Sequence, residues 1–252
     1  MEFLKDLNGF TFDKLPRMLQ RRIEEAPVTL YLIKPGTPTK MKYSLFNRIN
    51  TGGLSLKPQE IRHAISQGIN NGQASKFLKK LSESKKFNMM VAIAGKRMSN
   101  SELILRHVSF SLSGVNDYKS SMVKFLDDGM EVLGEADERT LENCKNDFLT
   151  SMDTAWTLFG VHAFKKSFAK ENQMRVVNKP LFEALSVALA KLSPSQNKTL
   201  ILNKEIFLRK FKDLMTSTEF IESISKSTAN TEKVRYRFEK VENLIKFYSE
   251  VG

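Results

Sequence analysis

The sequence has a single cysteine, Cys144, among its 252 residues. One thiol excludes an intrachain disulfide and any zinc site assembled from several cysteines, and it fits a reducing compartment. With Lys145 beside it, Cys144 reads as a buried structural side chain rather than a reactive thiol. Histidine is almost as scarce. His63, His107 and His162 lie far apart, and none has a second histidine three or four residues on, so the HExxH and HNH-like patterns are absent. No Gly-x-x-x-x-Gly-Lys-Ser/Thr run is present, which excludes a P-loop. Glu142 and Lys145 have the spacing of one corner of a restriction-nuclease motif, without the acidic partner on an upstream strand that would complete it. Long apolar runs are missing too. The longest, residues 28–33 and 89–94, fall far short of the roughly 20 residues that span a bilayer. Met1-Glu2-Phe3-Leu4-Lys5-Asp6 lacks a basic stretch leading into an apolar one, so no secretory signal is read. These absences lead us to expect a cytoplasmic protein with no membrane partner, no metal ligands and no cofactor of its own.

What is present is ordinary globular composition with an unusual charge distribution. Hydrophobic residues make up 41% and charged residues 27%, close to the average of folded domains, and the length suits one large or two smaller domains. The 11 methionines and 18 phenylalanines fit core filling at helical spacing. The net charge is +12, but residues 1–100 carry +11, residues 101–163 carry −6 and residues 164–252 carry +7. Basic flanks attract phosphates, and the residues expected to face nucleic acid are Arg21, Arg22, Lys79, Lys80, Lys233, Arg235 and Arg237. Binding through them would be weak and indifferent to sequence. The same lysines also serve simply to solvate helices.

Periodicity predicts a mainly helical chain. Leu15, Leu19 and Ile23 are spaced four apart, which predicts a first helix over residues 12–25. After Pro27, Val28, Leu30, Tyr31, Leu32 and Ile33 read as a buried strand over residues 28–33. Thr37 before Pro38 suits a helix start, and Met41, Leu45, Phe46 and Ile49 form the apolar stripe of the helix that follows. A further helix starts at Pro58. Beyond it, helices are expected over residues 73–83, 99–113, 117–132, 138–160, 179–191, 203–215, 217–225 and 231–249. Residues 165–178 are polar and poorly periodic and form a candidate boundary. The strand poses a difficulty, because buried backbone N–H and C=O groups need partners and even a two-stranded hairpin is marginal in water. The other β-like runs, residues 9–12 and 199–202, are short. The sheet is therefore expected to be incomplete within this chain.

One segment stands apart. Phe46-Asn47-Arg48-Ile49-Asn50-Thr51-Gly52-Gly53 ends a helix, and Leu54-Ser55-Leu56-Lys57-Pro58-Gln59-Glu60-Ile61-Arg62 starts the next. Such a turn offers backbone N–H groups and a helix N-terminus, which together favour an anion. Arg48 and Asn50 add side-chain donors. The same turn also reads as a glycine-capped corner that only shapes the fold.

The segment resembles the second signature of the GmrSD-type restriction family (domain of unknown function 262, with a ParB-like N-terminal fold), which has the form F-x-R-I-N-T-G-G…L…Q-E-I-R. Here it stands as Phe46, Arg48, Ile49, Asn50, Thr51, Gly52, Gly53, Leu56, Gln59, Glu60, Ile61 and Arg62. The approach through Phe12-Asp13-Lys14-Leu15-Pro16 and Gln20-Arg21-Arg22-Ile23 is also similar to the family. So is the closing stretch of Ser227-Thr228 and Val234-Arg235-Tyr236-Arg237-Phe238. The family's Pro-x-x-Q-R and D-G-Q-Q-R elements, on which its nucleotide hydrolysis or nuclease-linked activity depends, do not occur here, and Met1 falls where that half would end. Lys57 departs from the small polar residue often found before the Pro58 position. An HNH nuclease domain is not expected within these residues.

The resemblance implies a mainly α fold, a helical bundle with a small residual β element (an incomplete ParB-like sheet) near the N-terminus. Residues 1–70 would be the rear part of a ParB-like domain and residues 71–252 a helical domain. It implies a role in antiviral defence against modified DNA. The phosphate- or nucleotide-binding residues would be Phe46, Arg48, Asn50, Gly52, Gly53, Gln59, Glu60 and Arg62. Nucleotide would be bound only with a partner that supplies the DGQQR half, or with a second copy paired through residues 28–33. The catalytic residues stay unassigned, and activity by the chain alone is not expected. The alternative is a non-enzymatic regulatory or protein-interaction module.

Overall fold

A computed structural model describes residues 5–30, 32, 34, 36–49, 56–91, 98–169 and 176–250. Among these the chain is mainly helical. The helices are α1 (Arg17–Glu24), α2 (Thr39–Ile49), α3 (Pro58–Ser66), α4 (Gln73–Ser82), α5 (Lys85–Val91), α6 (Ser99–Ser113) and α7 (Met122–Glu135), followed by α8 (Glu138–Phe159), α9 (Lys179–Ala190), α10 (Pro194–Leu202), α11 (Lys204–Thr216), α12 (Thr218–Ser223) and α13 (Thr231–Glu250). The chain divides into two compact units, residues 1–42 and 43–252. The helix of α3, expected with the N-terminal portion, belongs to the second.

In the first unit, α1 starts later than its apolar spacing predicts, because Pro16 stands at its N-cap and residues 12–14 form a separate 3-10 turn. Gln20 ties the two together, its Nε2 donating to the carbonyls of Phe12 (3.1 Å) and Leu15 (3.0 Å). The buried strand expected over residues 28–33 is not found among the described residues. Val28, Leu30 and Leu32 are 84, 82 and 89% exposed. Tyr31 and Ile33 lie outside the described residues. High β-propensity reflects fit to a pleated, half-buried surface, and these side chains have no such surface around them. The β-like runs at residues 9–12 and 199–202 are also not strands. The first ends in the 3-10 turn, and the second is the last turn of α10, where helical packing overrides propensity.

The second unit is organised around α9. From Leu181 to Leu189 every residue of this helix is buried, as expected of a helix that is apolar all round, and it packs against α6, α8 and α13. Its start is fixed twice by Asn178, whose Oδ1 accepts from the Leu181 amide and whose Nδ2 donates to the Ile224 carbonyl, both at 2.8 Å. Phenylalanines fill the space around it. Phe182 meets Phe87 and Phe164, and Phe110 meets Phe125 and Phe238, with ring centroids 4.6–6.1 Å apart.

The candidate boundary at residues 165–178 does not separate domains. Lys165 and Val177 form an antiparallel bridge, the Asn178 amide donates to the Phe164 carbonyl at 2.8 Å, and Phe164 and Val177 are part of the core. Polarity at that stretch does not mark a boundary, since the described residues on either side of it are tied to each other and to the core.

Two contacts set the positions of α3, α4, α6 and α7. Asn70, between α3 and α4, and Gln73, the first residue of α4, donate to the carbonyls at the end of α7, those of Leu133, Gly134 and the C-cap Ala136, over 2.7–3.2 Å. Those carbonyls have no partner inside their own helix, so the turn caps α7. On the other side of α7, Gly129 lies against Ser109 of α6 so closely that an added Cβ would stand 2.0 Å from the serine Oγ.

Candidate functional site

The motif begins on α2. Tyr43 is buried against Ile61 and Ile65 of α3, with Phe46 packed beside them, so the two motif helices share a small apolar core of their own. Burial and the neighbouring Asp127 carboxylate push the Tyr43 phenol above its ordinary range. Arg48, one turn on, is exposed. Asn50, Thr51, Gly52 and Gly53 lie outside the described residues.

The start of α3 is held by its own side chains. Glu60 Oε2 accepts the backbone N–H of Lys57 at 2.7 Å, placing a carboxylate at the positive end of the helix. This satisfies one of the amides that an anion would otherwise recruit. Gln59 and Arg62, expected to face phosphate, both point inward. Arg62 is 2% exposed. Its Nε donates to Asp127 Oδ1 at 2.7 Å, its Nη2 to the Val123 carbonyl at 3.1 Å and its Nη1 to Gln59 Oε1 at 3.3 Å. Three of its donors are spent on α7 and on its own helix. Burial raises the Asp127 carboxyl above the usual carboxylate range, outweighing the opposing pull of Arg62. The arrangement is a clamp that fixes the first turn of α3 against α7.

The structure thus gathers Phe46, Gln59, Glu60 and Arg62 around one helix junction, with Arg48 on the exposed side of α2. Of the expected basic residues, Arg21 and Arg22 are exposed on α1, in the first unit. Lys79 and Lys80 are exposed on the last turn of α4, where cations also complement the helix dipole. Arg235 is exposed on α13, and Lys233 Nζ donates to the Lys226 carbonyl at 3.0 Å. Arg237 is a correction. It is fully buried and cannot meet a phosphate.

Arg237 belongs to a buried charge cluster that the sequence pattern did not reveal. Its Nη2 is paired with Glu183 Oε1 on α9, and its Nη1 donates to the Thr228 and Ser223 carbonyls at 2.8 and 3.2 Å. The other oxygen of Glu183 takes Arg106 Nη1 at 2.7 Å. Arg106 and Lys179 in turn bracket Glu102, at 3.1 and 2.7 Å. Burial alone would raise the Glu102 carboxyl, but Arg106 and Lys179 outweigh it and hold the group below its usual range. One signal was available, since a lone Glu in the apolar run Leu-Phe-Glu-Ala-Leu demands a buried cation.

Nearby, His107 is buried beside Ser186 (Nδ1···Oγ 3.0 Å) and edge-on to Phe148. Burial drops its pKa to about 3, so it is neutral, and its Nε2 has no partner among the described residues. Burial likewise pushes the Cys144 thiol up to about 11, which makes it a poor nucleophile. Among the described residues no group of three or more His, Cys, Asp or Glu side chains could hold a metal ion, and no helix is long and apolar enough to cross a membrane.

No family model, no curated protein and no solved structure matches the chain.

Proposed function

We propose that the chain is a cytoplasmic component of a GmrSD-like antiviral defence system. In this reading it contributes the Asn50–Gly53 half of a phosphate site, and a subunit or segment carrying a DGQQR element supplies the other half. The observation that carries this is the clamp of Arg62, Gln59, Asp127 and the Val123 carbonyl. It holds the helix that follows the glycine pair rigidly, as a site built on backbone amides requires. The exposed Val28, Leu30 and Leu32 support the need for a partner, because apolar residues alternating along the sequence suit addition to a neighbouring strand. Exposed basic residues on α1, α4 and α13 would add weak, sequence-indifferent attraction for nucleic acid.

The test is a titration of the purified chain with a fluorescent DNA duplex and, separately, with pyrophosphate. Counterion release should make the duplex affinity fall steeply as salt rises, and Asn50→Ala should abolish the response to pyrophosphate while leaving DNA affinity nearly unchanged. Absence of DNA binding at about 50 mM salt, together with no response to pyrophosphate, would favour the second reading, a non-enzymatic regulatory or protein-interaction module. That reading has its own support in the inward commitment of Arg62 and Arg237, two of the arginines expected to meet phosphate.

A further inference from the structure

A groove of about 740 Å3 lies between α8 and α10, within the usual size range of ligand sites. Along α8 its wall carries Asp147, Thr150, Thr154 and Thr157. Spacings of three, four and three residues put these in one stripe, about 15 Å long at the helical rise. Two of the three hydroxyl protons of this wall are already used. Thr154 Oγ1 donates to the Thr150 carbonyl and Thr157 Oγ1 to the Asp153 carbonyl, both at 2.9 Å. With its proton committed, Thr154 must accept from Asn197 Nδ2, 2.7 Å away. This orients the Asn197 amide and leaves its Oδ1 enclosed with no donor among the described residues. The wall therefore presents more acceptors than donors, Thr150 keeping the one hydroxyl proton on it that is not committed among the described residues.

Charge and apolarity are separated along the groove. Asp147 stands at one end with no ion pair among the described residues, while Lys86 is taken by Asp153 at 2.7 Å. Lys204 Nζ, on α11, reaches the Thr157 carbonyl at 2.6 Å, which puts the α10–α11 corner at the opposite end. There Ile201 and Leu202 line the groove, and Leu202 is 77% exposed. A lone carboxylate, a row of acceptors and an aliphatic end complement a chain that is cationic at one end, carries N–H donors along its length and is apolar at the other. An extended peptide covers this distance in about five residues, and Lys198, which also lines the groove, offers a donor to its carbonyls.

We propose that the α8–α10 groove docks an extended segment of a partner protein with an arginine or lysine against Asp147 and an aliphatic side chain against Leu202. The proposal stands apart from the phosphate-site reading, since none of its residues belongs to that motif. The test is amide NMR of the full chain titrated with an acetylated hexapeptide amide carrying Arg at its first position and Leu at its last two. Shifts confined to α8 and α10 are expected at about millimolar peptide. Affinity should fall at least tenfold when the peptide's Arg is replaced by Glu, or the chain carries Asp147→Asn, and should also fall with Leu202→Ser. Both side chains are exposed, so unchanged melting temperatures are expected for the variants. Absence of shifts, or shifts indifferent to both substitutions, would overturn the proposal. So would equal binding of spermidine that ignores Leu202→Ser, because the groove would then take a free amine.

Discussion

Glu183 and Arg237 meet in the centre of the second unit with both side chains wholly removed from solvent. They join α9 to α13 across 54 residues of sequence. The carboxylate is shared with Arg106, and the guanidinium also holds the carbonyls that close the loop before α13. Each charge is tolerable only because the other is there.

Glu183→Ala should therefore destabilise the chain by about 3–5 kcal/mol, since it leaves the wholly buried Arg237 guanidinium without a carboxylate and Arg106 with Glu102 alone. Replacing Glu183 and Arg237 together by leucine and methionine should recover much of that loss, because an apolar pair of similar volume avoids the desolvation cost. Urea unfolding of the single and double variants measures both effects. A double variant no better than Glu183→Ala would show that Arg106, left with Glu102 alone, dominates the penalty.

Arg62 and Asn50 should separate stability from function. Arg62→Ala removes the donors to Asp127 and to the Val123 carbonyl and leaves Asp127 without its cation. It should cost about 3 kcal/mol and expose α3 amides to hydrogen exchange. Asn50→Ala should leave the unfolding midpoint nearly unchanged while removing the response to pyrophosphate. Loss of stability in Asn50→Ala as large as in Arg62→Ala would mean the turn is a structural corner only.

Gly129 is required by contact rather than by backbone conformation. Gly129→Ala drives a methyl group to 2.0 Å from Ser109 Oγ and 3.0 Å from its Cβ, so the hydroxyl must turn away and the serine must give, at a cost of about 1–3 kcal/mol. Ser109→Ala should be mild by itself, since that Oγ has no partner among the described residues. In the double variant Ser109→Ala should relieve part of the overlap, which differential unfolding in urea would register as non-additivity.

Acid should act through His107. Its pKa falls from 6.5 to about 3 on folding, so the unfolded chain binds the proton more readily. The stability it contributes is present in full above pH 6.5 and is lost as pH falls through the window down to about 3. By linkage, a move from pH 7.5 to 5 should cost about 2 kcal/mol from this residue. His107→Gln should flatten that part of the profile. An unchanged slope in the variant would assign the acid sensitivity to other groups.

Sequence by itself determined the helices and the place of the motif. Apolar spacing, Asn178 before Lys179-Pro180 and Gly160 after α8 are local signals, spanning one or two turns of chain, and α8 and α9 follow them closely. The helix end expected at residue 83 matches the end of α4, but the spacing did not predict α5, a helix of only seven residues, or α10, whose residues 199–202 read as β-like. What the tertiary structure alone decided is which charged side chains face inward. Arg62 and Arg235 are both arginines on amphipathic helices, as is Arg237. Only Arg62 and Arg237 meet a carboxylate brought from α7 or α9, 65 and 54 residues away. The fate of the apolar run at residues 28–33 was likewise beyond the sequence. Strand propensity states what a segment can pair with, and whether a partner is at hand depends on chain placed elsewhere in space.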